Sequence, residues 1–323
     1  MVHVPQDLLE RIRLATGARA ARDGEQVQRL WAGYGEIRRV YLSGAHWPSV
    51  IVKHVQPPTS PPPEALSATR SHARKLRSYA VEATWYERYA SRCDSDCRVA
   101  RLLCCENTGE RQLLVLEDLD AAGYAARRET PEAHGLLACL DWLASFHATF
   151  MSDPGAGLWK PGTYWHLATR PDELAACRDP ALRAAAPKLA ARLQDARFRS
   201  LLHGDAKVEN FCFKPGLGAV AAVDFQYVGT GVGMQDVAYF FSSCLDDAVC
   251  EAQAPGLLDH YFGSLRRALA TRQPALDAAA VEAEWRALYP TAWADFCRFL
   301  SGWAPEQYAR DGYGHRMTEL ALA

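Results

Sequence analysis

The sequence lacks several patterns that would place it in other functional classes. It contains no G-x-x-x-x-G-K-[ST] motif, which excludes the P-loop class of nucleotide-binding proteins. Its 10 cysteines include no C-x-x-C pair, so they do not form a zinc framework. No apolar run approaches the roughly 18 residues that a membrane-spanning helix needs. A formal net charge of −2 argues against a dedicated nucleic-acid-binding protein.

The N-terminal segment begins with polar and charged residues and lacks the pattern of a signal peptide. Cys139, Cys212 and Cys244 lie within apolar runs, where cysteine is expected to be buried as a small hydrophobic side chain. Because disulfides are rare in reducing compartments, these observations predict a reduced, cytoplasmic protein.

The length of 323 residues, 49% of them hydrophobic, is enough for two lobes around a sizeable core. The pattern changes near residue 119. Residues 1–118 contain short β-branched runs and one helical pattern, whereas residues 119–323 are mostly helical in pattern. We therefore expect a first lobe at 1–118 and a second lobe at 119–323.

In the first part, the runs at 37–44 and 48–55 predict a hairpin, and 111–119 predicts a buried strand. Helical spacing of apolar residues from Leu76 to Ala90 predicts a helix that Ser71 could cap. Five prolines make residues 56–63 a loop. In the second part, strand-like pieces are expected between 200 and 226. Helices are expected at 131–150, 180–197, 256–273, 278–288 and 291–302.

A short hydrophilic segment, "LLHGDAKVENFCF", lies between two apolar runs and contains His203, Asp205, Lys207 and Asn210. Asp224 follows at the end of the apolar run "AVAAV", where a carboxylate is costly to bury unless a cation meets it. Asn210 and Asp224 offer the oxygen ligands that Mg²⁺ uses together with phosphates. Lys207 could neutralise a phosphoryl group. The pattern predicts a phosphoryl-transfer centre.

The motif H-G-D-x-x-x-x-N followed by D-F-Q resembles the catalytic core of the aminoglycoside phosphotransferase and choline kinase superfamily. It is most similar to the CHK-kinase-like, or ecdysteroid-kinase-like, branch. The resemblance implies an α+β, bilobal, protein-kinase-like fold, with a small lobe of antiparallel sheet plus one helix and a larger, mostly helical lobe. It also implies an ATP- and Mg²⁺-dependent kinase that phosphorylates a hydroxyl of a small molecule.

Further segments resemble this superfamily in the same order along the chain. "SVIVKHV" resembles the strand that carries the ATP-phosphate lysine, here Lys53, and the next helix supplies its partner Glu82. "LLVLEDL" resembles the strand and hinge that hold adenine, which implies contacts through the backbone of Glu117, Asp118 and Leu119. "LASFHATF" resembles the helix before the catalytic loop. "GMQDVAYFF" is similar to the segment in which an aspartate, here Asp236, supports that loop.

The resemblance assigns a role to each residue of the expected site. Asp205 would accept or orient the proton of the acceptor hydroxyl, while Asn210 and Asp224 would hold Mg²⁺. Lys207 would act beside Asp205, although a solvated surface lysine is the alternative. His203 would orient the loop by hydrogen bonds rather than move protons. Lys53 could instead be a surface lysine on an edge strand.

Three features leave alternatives open. Glu87 is a rival to Glu82 as the partner of Lys53. The turn that covers the phosphates could contain Gly33 and Gly35, or Ser43 and Gly44. "GTGVG" at 229–233 lacks the last glycine of a dinucleotide-binding loop, so it is interpreted as a flexible loop near the substrate.

The acceptor pocket is expected among aromatic residues of the second part, with acids such as Asp295 nearby. The candidates form two groups, Trp159, Tyr164 and Trp165, and Trp293, Phe296 and Trp303. Such rings suit an apolar or cationic body through packing and cation–π attraction, although core packing is the commoner role of aromatics at helical spacing. A different class of function, a nucleotide-binding pseudokinase used as a regulatory or interaction module, is the alternative.

Overall fold

The computed structural model describes residues 4–57, 66–108, 111–216, 218–308 and 312–323. Residues 58–63 of the predicted proline-rich loop lie outside these ranges. Within them, no helix is long and apolar enough to cross a membrane. Cys139, Cys212 and Cys244 are buried, as their apolar surroundings predict.

A five-stranded antiparallel sheet forms most of the first part of the chain. Its strands are β1 (Ala20–Arg29), β2 (Gly35–Ser43), β3 (Ser49–Val55), β4 (Leu102–Thr108) and β5 (Arg111–Glu117). They lie side by side in the order β1-β2-β3-β5-β4. A helix, α1 (Gln6–Thr16), precedes the sheet, and a long helix, α2 (Leu66–Arg88), follows the third strand.

The predicted hairpin of β2 and β3 and the predicted strand β5 are confirmed, whereas α1, β1 and β4 were not predicted. Strands β1 and β4 are the two edges of the sheet, and their residues are exposed or only partly buried. An edge strand therefore carries no clear apolar alternation. The prediction that Ser71 caps α2 is wrong, because it lies inside the helix.

The remainder of the chain is mainly helical, with four short strands that form two pairs, β6 with β9 and β7 with β8. The strands are β6 (Ser200–Leu202), β7 (Phe211–Lys214), β8 (Ala219–Ala222) and β9 (Gly229–Gly231). The helices are α3 (Ala133–Thr149), α4 (Pro171–Ala176), α5 (Pro180–Gln194), α6 (Met234–Cys244), α7 (Asp247–Arg272), α8 (Ala278–Trp303) and α9 (Tyr313–Leu322).

Two predictions for this region are wrong. The expected helices at 278–288 and 291–302 are one continuous helix, α8, which contains Pro290 in its interior. The "GTGVG" segment is not a loop, because Gly229–Gly231 forms strand β9 against the strand that leads into His203. The predicted α+β class is confirmed.

A cluster of buried aromatic rings joins α2, α3 and the segment after Asp224. The Trp85 ring of α2 stacks on Phe225, with ring centroids 4.6 Å apart. In α3, Trp142 stacks on Phe146 at 4.9 Å, and its indole N–H donates to the carbonyl of Arg98 at 2.9 Å. Because these rings are almost completely buried, they fix α2 against the helices of the second part.

Replacing Trp142 by alanine tests the energetic weight of this cluster. Trp142→Ala removes a large buried ring and one hydrogen bond, so we expect the free energy of unfolding to fall by about 3–5 kcal/mol. Urea denaturation measures this change. Trp31→Ala is the matched control, because that ring is 72% exposed and its loss should cost far less. Equal losses in the two variants would contradict the assignment of Trp142 to the core.

Candidate active site

Lys53 lies on β3, which is an interior strand with β2 on one side and β5 on the other. Its ammonium group forms a 2.6 Å ion pair with the Oε2 atom of Glu82 on α2, and both side chains are buried. Burial lowers the pKa of Lys53, but the charges of Glu82 and Asp224 outweigh this effect and raise it above its ordinary value. Glu87 is exposed, so Glu82 is the carboxylate that neutralises this buried cation.

Asp224 lies beside this ion pair. Its Oδ1 atom is 3.6 Å from the Lys53 ammonium, and this oxygen is buried without a hydrogen-bond donor. The backbone of Asp224 has φ +69°, a left-handed conformation that aspartate adopts more readily than most residues. The reversal of the chain after β8 therefore brings the carboxylate back toward Lys53.

The loop that follows β6 is held in place by the buried carboxylate of Asp236 at the start of α6. This carboxylate accepts hydrogen bonds from the backbone N–H groups of His203 (2.7 Å) and Gly204 (2.9 Å). It also lies 3.1 Å from Nε2 of His147, whose other ring nitrogen bonds to the Tyr261 hydroxyl. The structure thus shows the contact that the resemblance implies for Asp236, and it adds His147 of "LASFHATF".

Gly204 is required at its position in the H-G-D sequence. Its φ is +79°, and a Cβ atom there would lie 2.1 Å from the carbonyl oxygen of Tyr227. Any larger residue would therefore push the loop away from the segment after Asp224.

The His203 side chain is completely buried, and both of its ring nitrogens are engaged. Nε2 lies 3.0 Å from the carbonyl of Val223, and Nδ1 accepts a hydrogen bond from the backbone N–H of Asp205 at 3.3 Å. Burial lowers the pKa of His203, which keeps the ring neutral. A neutral ring with both nitrogens engaged can orient the loop but has no site for moving a substrate proton.

Asp205 and Asn210 are joined within the same loop. The side-chain amide of Asn210 donates to the backbone carbonyl of Asp205 at 2.7 Å, while the backbone carbonyl of Asn210 accepts from the N–H of Val223 at 2.9 Å. Burial, and then the charge of Asp224, raises the pKa of Asp205 to about 7. Asp205 and Asp224 are therefore close enough for their negative charges to oppose each other.

A cavity of about 250 Å³ lies between the sheet and this loop. Its polar lining includes the ion pair of Lys53 and Glu82 together with Asn210 and Asp224, and the hinge residues 117–119 also line it. Its apolar walls come from both sides of the cleft and include Leu30, Ile37, Ile51, Ala100, Leu116 and Val223. Of the two turns left open as the phosphate cover, the β1–β2 turn with Gly33 and Gly35 borders the cavity at Leu30.

The side chains of the hinge point to structural partners. Glu117 forms an ion pair with Arg98 at 2.5 Å. The carboxylate of Asp118 accepts hydrogen bonds from Arg39 and from the Ser49 hydroxyl, both at 2.6 Å. Both hinge carboxylates are therefore already engaged within the protein. No feature of the sequence indicated the role of Arg39, which reaches across from β2.

A second cavity, of about 510 Å³, lies between α6, α8 and the chain before α9. Lys207 lines it, so this lysine faces a cavity. Tyr239 also lines it and acts to lower the pKa of Asp205, and Glu209 of the same loop is a further lining residue, so the cavity lies next to the loop that contains Asp205. Its other aromatic and acidic lining residues are Tyr164, Trp293, Phe296, Trp303, Tyr308, Glu209, Asp246 and Asp247.

Three residues of the expected acceptor groups do not line this cavity. Asp295 is buried in a 2.9 Å ion pair with Arg298 and accepts a hydrogen bond from Trp165, so it does not face this cavity. Trp165 itself is completely buried. Trp159 stacks on Tyr227, with ring centroids 6.1 Å apart. The spacing of these residues along the sequence did not reveal which side of the helix or loop they occupy.

The hydrogen bonds to Asp236 generate a stability prediction. Asp236→Asn keeps the shape but replaces one acceptor oxygen by an N–H group that would face a backbone donor. We expect a loss of about 2–3 kcal/mol in the free energy of unfolding, measured by urea denaturation. In the control Asp259→Asn, the carboxylate is 73% exposed, and a change below about 1 kcal/mol is expected. A similar small change in Asp236→Asn would disprove this structural role.

The sequence of residues 170–273 matches the Ecdysteroid kinase-like family, and this range contains Asp205, Asn210, Asp224 and Asp236. No curated protein matches the chain at a significant level.

Among solved structures, the amicoumacin kinase hAmiN in complex with AMP-PNP, Ca²⁺ and Ami has 16% identity and a TM-score of 0.54. The match covers 98% of this chain and 92% of that one. A microcompartment-associated aminopropanol kinase has 13% identity, 98% and 94% coverage and a TM-score of 0.49. Choline kinase LicA from Streptococcus pneumoniae has 16% identity, 98% and 96% coverage and a TM-score of 0.44.

The likeness to hAmiN extends over nearly the whole chain and shows a shared protein-kinase-like fold. The predicted resemblance to the ecdysteroid kinase-like family is confirmed over residues 170–273.

Proposed function

We propose that this protein is an ATP- and Mg²⁺-dependent kinase that transfers the γ-phosphate to a hydroxyl of a small molecule. The observation that carries the proposal is the buried ion pair of Lys53 and Glu82 beside the carboxylate of Asp224. This arrangement lines one cavity together with Asn210 and the hinge. We also propose that residues 1–118 and 119–323 act as the two lobes around this cavity, in the cytoplasm.

The residues present fit a magnesium ion. The Oδ1 atom of Asp224 is buried without a donor, and burial followed by the charge of Asp224 raises the pKa of Asp205, so a cation near both carboxylates would stabilise their negative charges. Asn210 uses its side-chain amide nitrogen within the loop, which leaves the side-chain oxygen Oδ1 as a ligand for the metal ion. Among the described residues, no group of three or more His, Cys, Asp or Glu forms a metal site. Mg²⁺ does not need one, because it binds one or two carboxylates together with phosphate oxygens.

The residues of this chain have the following roles in the proposed reaction. Lys53, fixed by Glu82, binds the donor phosphates, and the backbone of residues 117–119 binds adenine. Asp205 orients the acceptor hydroxyl and takes its proton. Asn210 and Asp224 hold the metal, which would neutralise charge on the phosphates when bound. Lys207 stabilises the transferred phosphoryl group, and catalysis comes mainly from positioning and charge stabilisation.

The cavity lined by Lys207 and Tyr239 is the proposed acceptor site, because Tyr239 connects it to Asp205. Its walls combine aromatic rings with the carboxylates of Glu209, Asp246 and Asp247. This lining favours an acceptor with an apolar or cationic body and an exposed hydroxyl. Trp303 is 57% exposed and lies at the rim of the cavity.

A nucleotide-binding pseudokinase is the alternative function. The positions of Lys53, Glu82, Asp205, Asn210 and Asp224 argue against it, because a protein that only binds nucleotide does not need a base next to an acceptor cavity. A screen of ATP consumption over hydroxylated metabolites, steroids, amino alcohols and antibiotics separates the two functions. Consumption that depends on one class of alcohol supports the kinase, and nucleotide binding without consumption supports the pseudokinase.

Binding of nucleotide and metal should depend on Asp224. At about 100 times its Kd, ATP with Mg²⁺ should stabilise the wild-type protein by about 2.7 kcal/mol, measured as a shift in Tm. Asp224→Asn keeps the size of the side chain and tolerates the left-handed backbone, and we expect it to lose most of the shift. The exposed Asp195→Asn is the control. An unchanged shift in Asp224→Asn would remove this residue from the metal site.

Turnover should depend on Asp205. Asp205→Asn keeps the shape of the side chain and removes its ability to accept a proton. Once an acceptor is known, we expect ATP affinity within a few-fold of wild type and kcat lower by roughly two to four orders of magnitude. Steady-state kinetics with both substrates provide the measurement, and a kcat close to that of wild type would show that Asp205 is not the base.

A further inference from the structure

Lys75 lies on α2 near the proposed nucleotide cavity, and the mechanism above does not use it. It precedes Tyr79 by four residues and Glu82 by seven, so the three residues occupy one face of the helix. Helical rise places Lys75 about 10 Å along α2 from Glu82, toward the start of the helix. The face that presents Glu82 to Lys53 thus presents a second cation two turns away.

The contacts of Lys75 place it beneath the β1–β2 turn. Its ammonium nitrogen lies 5.7 Å from the centre of the Trp31 ring and 5.8 Å from that of Tyr34. The Tyr34 and Tyr79 rings are 6.1 Å apart, and the ammonium of Lys53 is 5.8 Å from the Tyr79 ring. Lys75 and Lys53 therefore flank the same pair of rings, and Lys75 is on the side of the turn.

The register of the sheet gives the order of these features along the cleft. Val50 pairs with Glu117 at the hinge, Lys53 pairs with Leu114, and Val55 pairs with Gly35 at the β1–β2 turn. The hinge, Lys53 and the turn thus follow one another along the sheet. A nucleotide with its base at the hinge and its phosphates at Lys53 would point its terminal phosphate toward the turn.

Lys75 lies near other cations, of which Arg170 is paired with Glu173 at 3.0 Å, and the carboxylate of Asp224 also acts on its charge. Within the described part of the chain, no ion pair joins Lys75 or Arg74 to a carboxylate. Arg74 donates to the carbonyl of Thr169 and to the Ser71 hydroxyl, which are neutral acceptors. Burial, followed by the positive charges of Arg74 and Arg170, lowers the pKa of Lys75 to about 8. Neighbouring cations are costly to bring together unless an anion binds between or beside them.

We propose that Lys75, strengthened by the charge of Arg74, binds the terminal phosphoryl group of the donor nucleotide. This inference rests on the proposed function and adds a third cation, after Lys53 and the metal, at the group that is transferred. The aromatic rings alone account for the packing of the Lys75 stem. They do not account for a second unpaired cation, Arg74, next to it.

Nucleotide binding by the full-length chain tests the proposal. Isothermal titration calorimetry with Mg²⁺ measures Kd for ATP and for ADP, which lacks the terminal phosphoryl group. Lys75→Met keeps an apolar stem and removes the charge. We expect Kd for ATP to rise about tenfold, the size of one charge-assisted hydrogen bond, while Kd for ADP stays within about twofold. Lys75→Arg should recover most of the ATP affinity.

Lys188→Met is the matched control, because this lysine is exposed on α5, and both Kd values should stay unchanged. Equal losses for ATP and ADP in Lys75→Met, or no loss for either, would overturn the inference while leaving the proposed function intact. Absence of any nucleotide binding by the wild-type protein would instead overturn the proposed function, and the inference with it. Because only binding is measured, a pseudokinase would give the same answer about Lys75.

Discussion

The candidate site depends on one buried carboxylate, that of Asp236. A charged group without access to water is tolerated only when donors surround it, and here the donors are backbone N–H groups of the catalytic loop and the ring of His147. The interaction works in both directions: the loop satisfies the charge, and the charge fixes the loop. Asp205 and Asn210 then have little freedom, since they belong to the same short segment.

The cleft brings opposite charges together in a fixed order. Lys53 and Glu82 neutralise each other on the side of the sheet, whereas Asp205 and Asp224 repel each other on the side of the loop. Farther out, Lys75 lies beside other cations. The Lys53 ammonium lies 3.6 Å from Asp224, whereas no ion pair joins Lys75 to a carboxylate among the described residues. The proposed complex of ATP with Mg²⁺ carries charges of both signs and would meet both groups.

The site residues that could be predicted are those whose polarity differs sharply from that of their neighbours in the sequence. Lys53 and Asp224 are charged residues in or after apolar strands, and the H-G-D-x-x-x-x-N spacing is short enough to be read directly. Partners far apart in the chain gave no such signal. Tyr239 reaches Asp205 only because α6 folds back over the loop, and nothing in its neighbourhood distinguishes it from a core aromatic residue.

The sequence also did not show in which direction a side chain points. The sequence placed Asp295 and Trp303 near the acceptor, but the eight residues that separate them along α8 turn their side chains to different faces of the helix. Asp295 lies inside the protein in an ion pair with Arg298, whereas Trp303 lies at the rim of a cavity. The exposed edge strands β1 and β4 were missed for a related reason, because strands that contribute little to the core have no apolar alternation to detect.

The contacts of α2 have a consequence for how the cleft can open. Besides its ion pair with the sheet, this helix is bonded to the helical part of the protein through Ser78 to Gln226 and Arg77 to the carbonyl of Leu158. The hydroxyl of Tyr89, which directly follows the helix, donates to the carbonyl of Ala156, and Trp85 is stacked on Phe225. The same helix is bonded to the sheet by the ion pair of Glu82 with Lys53 and by the hydrogen bond from Gln112 to the carbonyl of Tyr79. A movement of the sheet relative to the helical part would therefore have to stretch contacts of α2 on one side or the other, so the width of the cleft depends on this one helix.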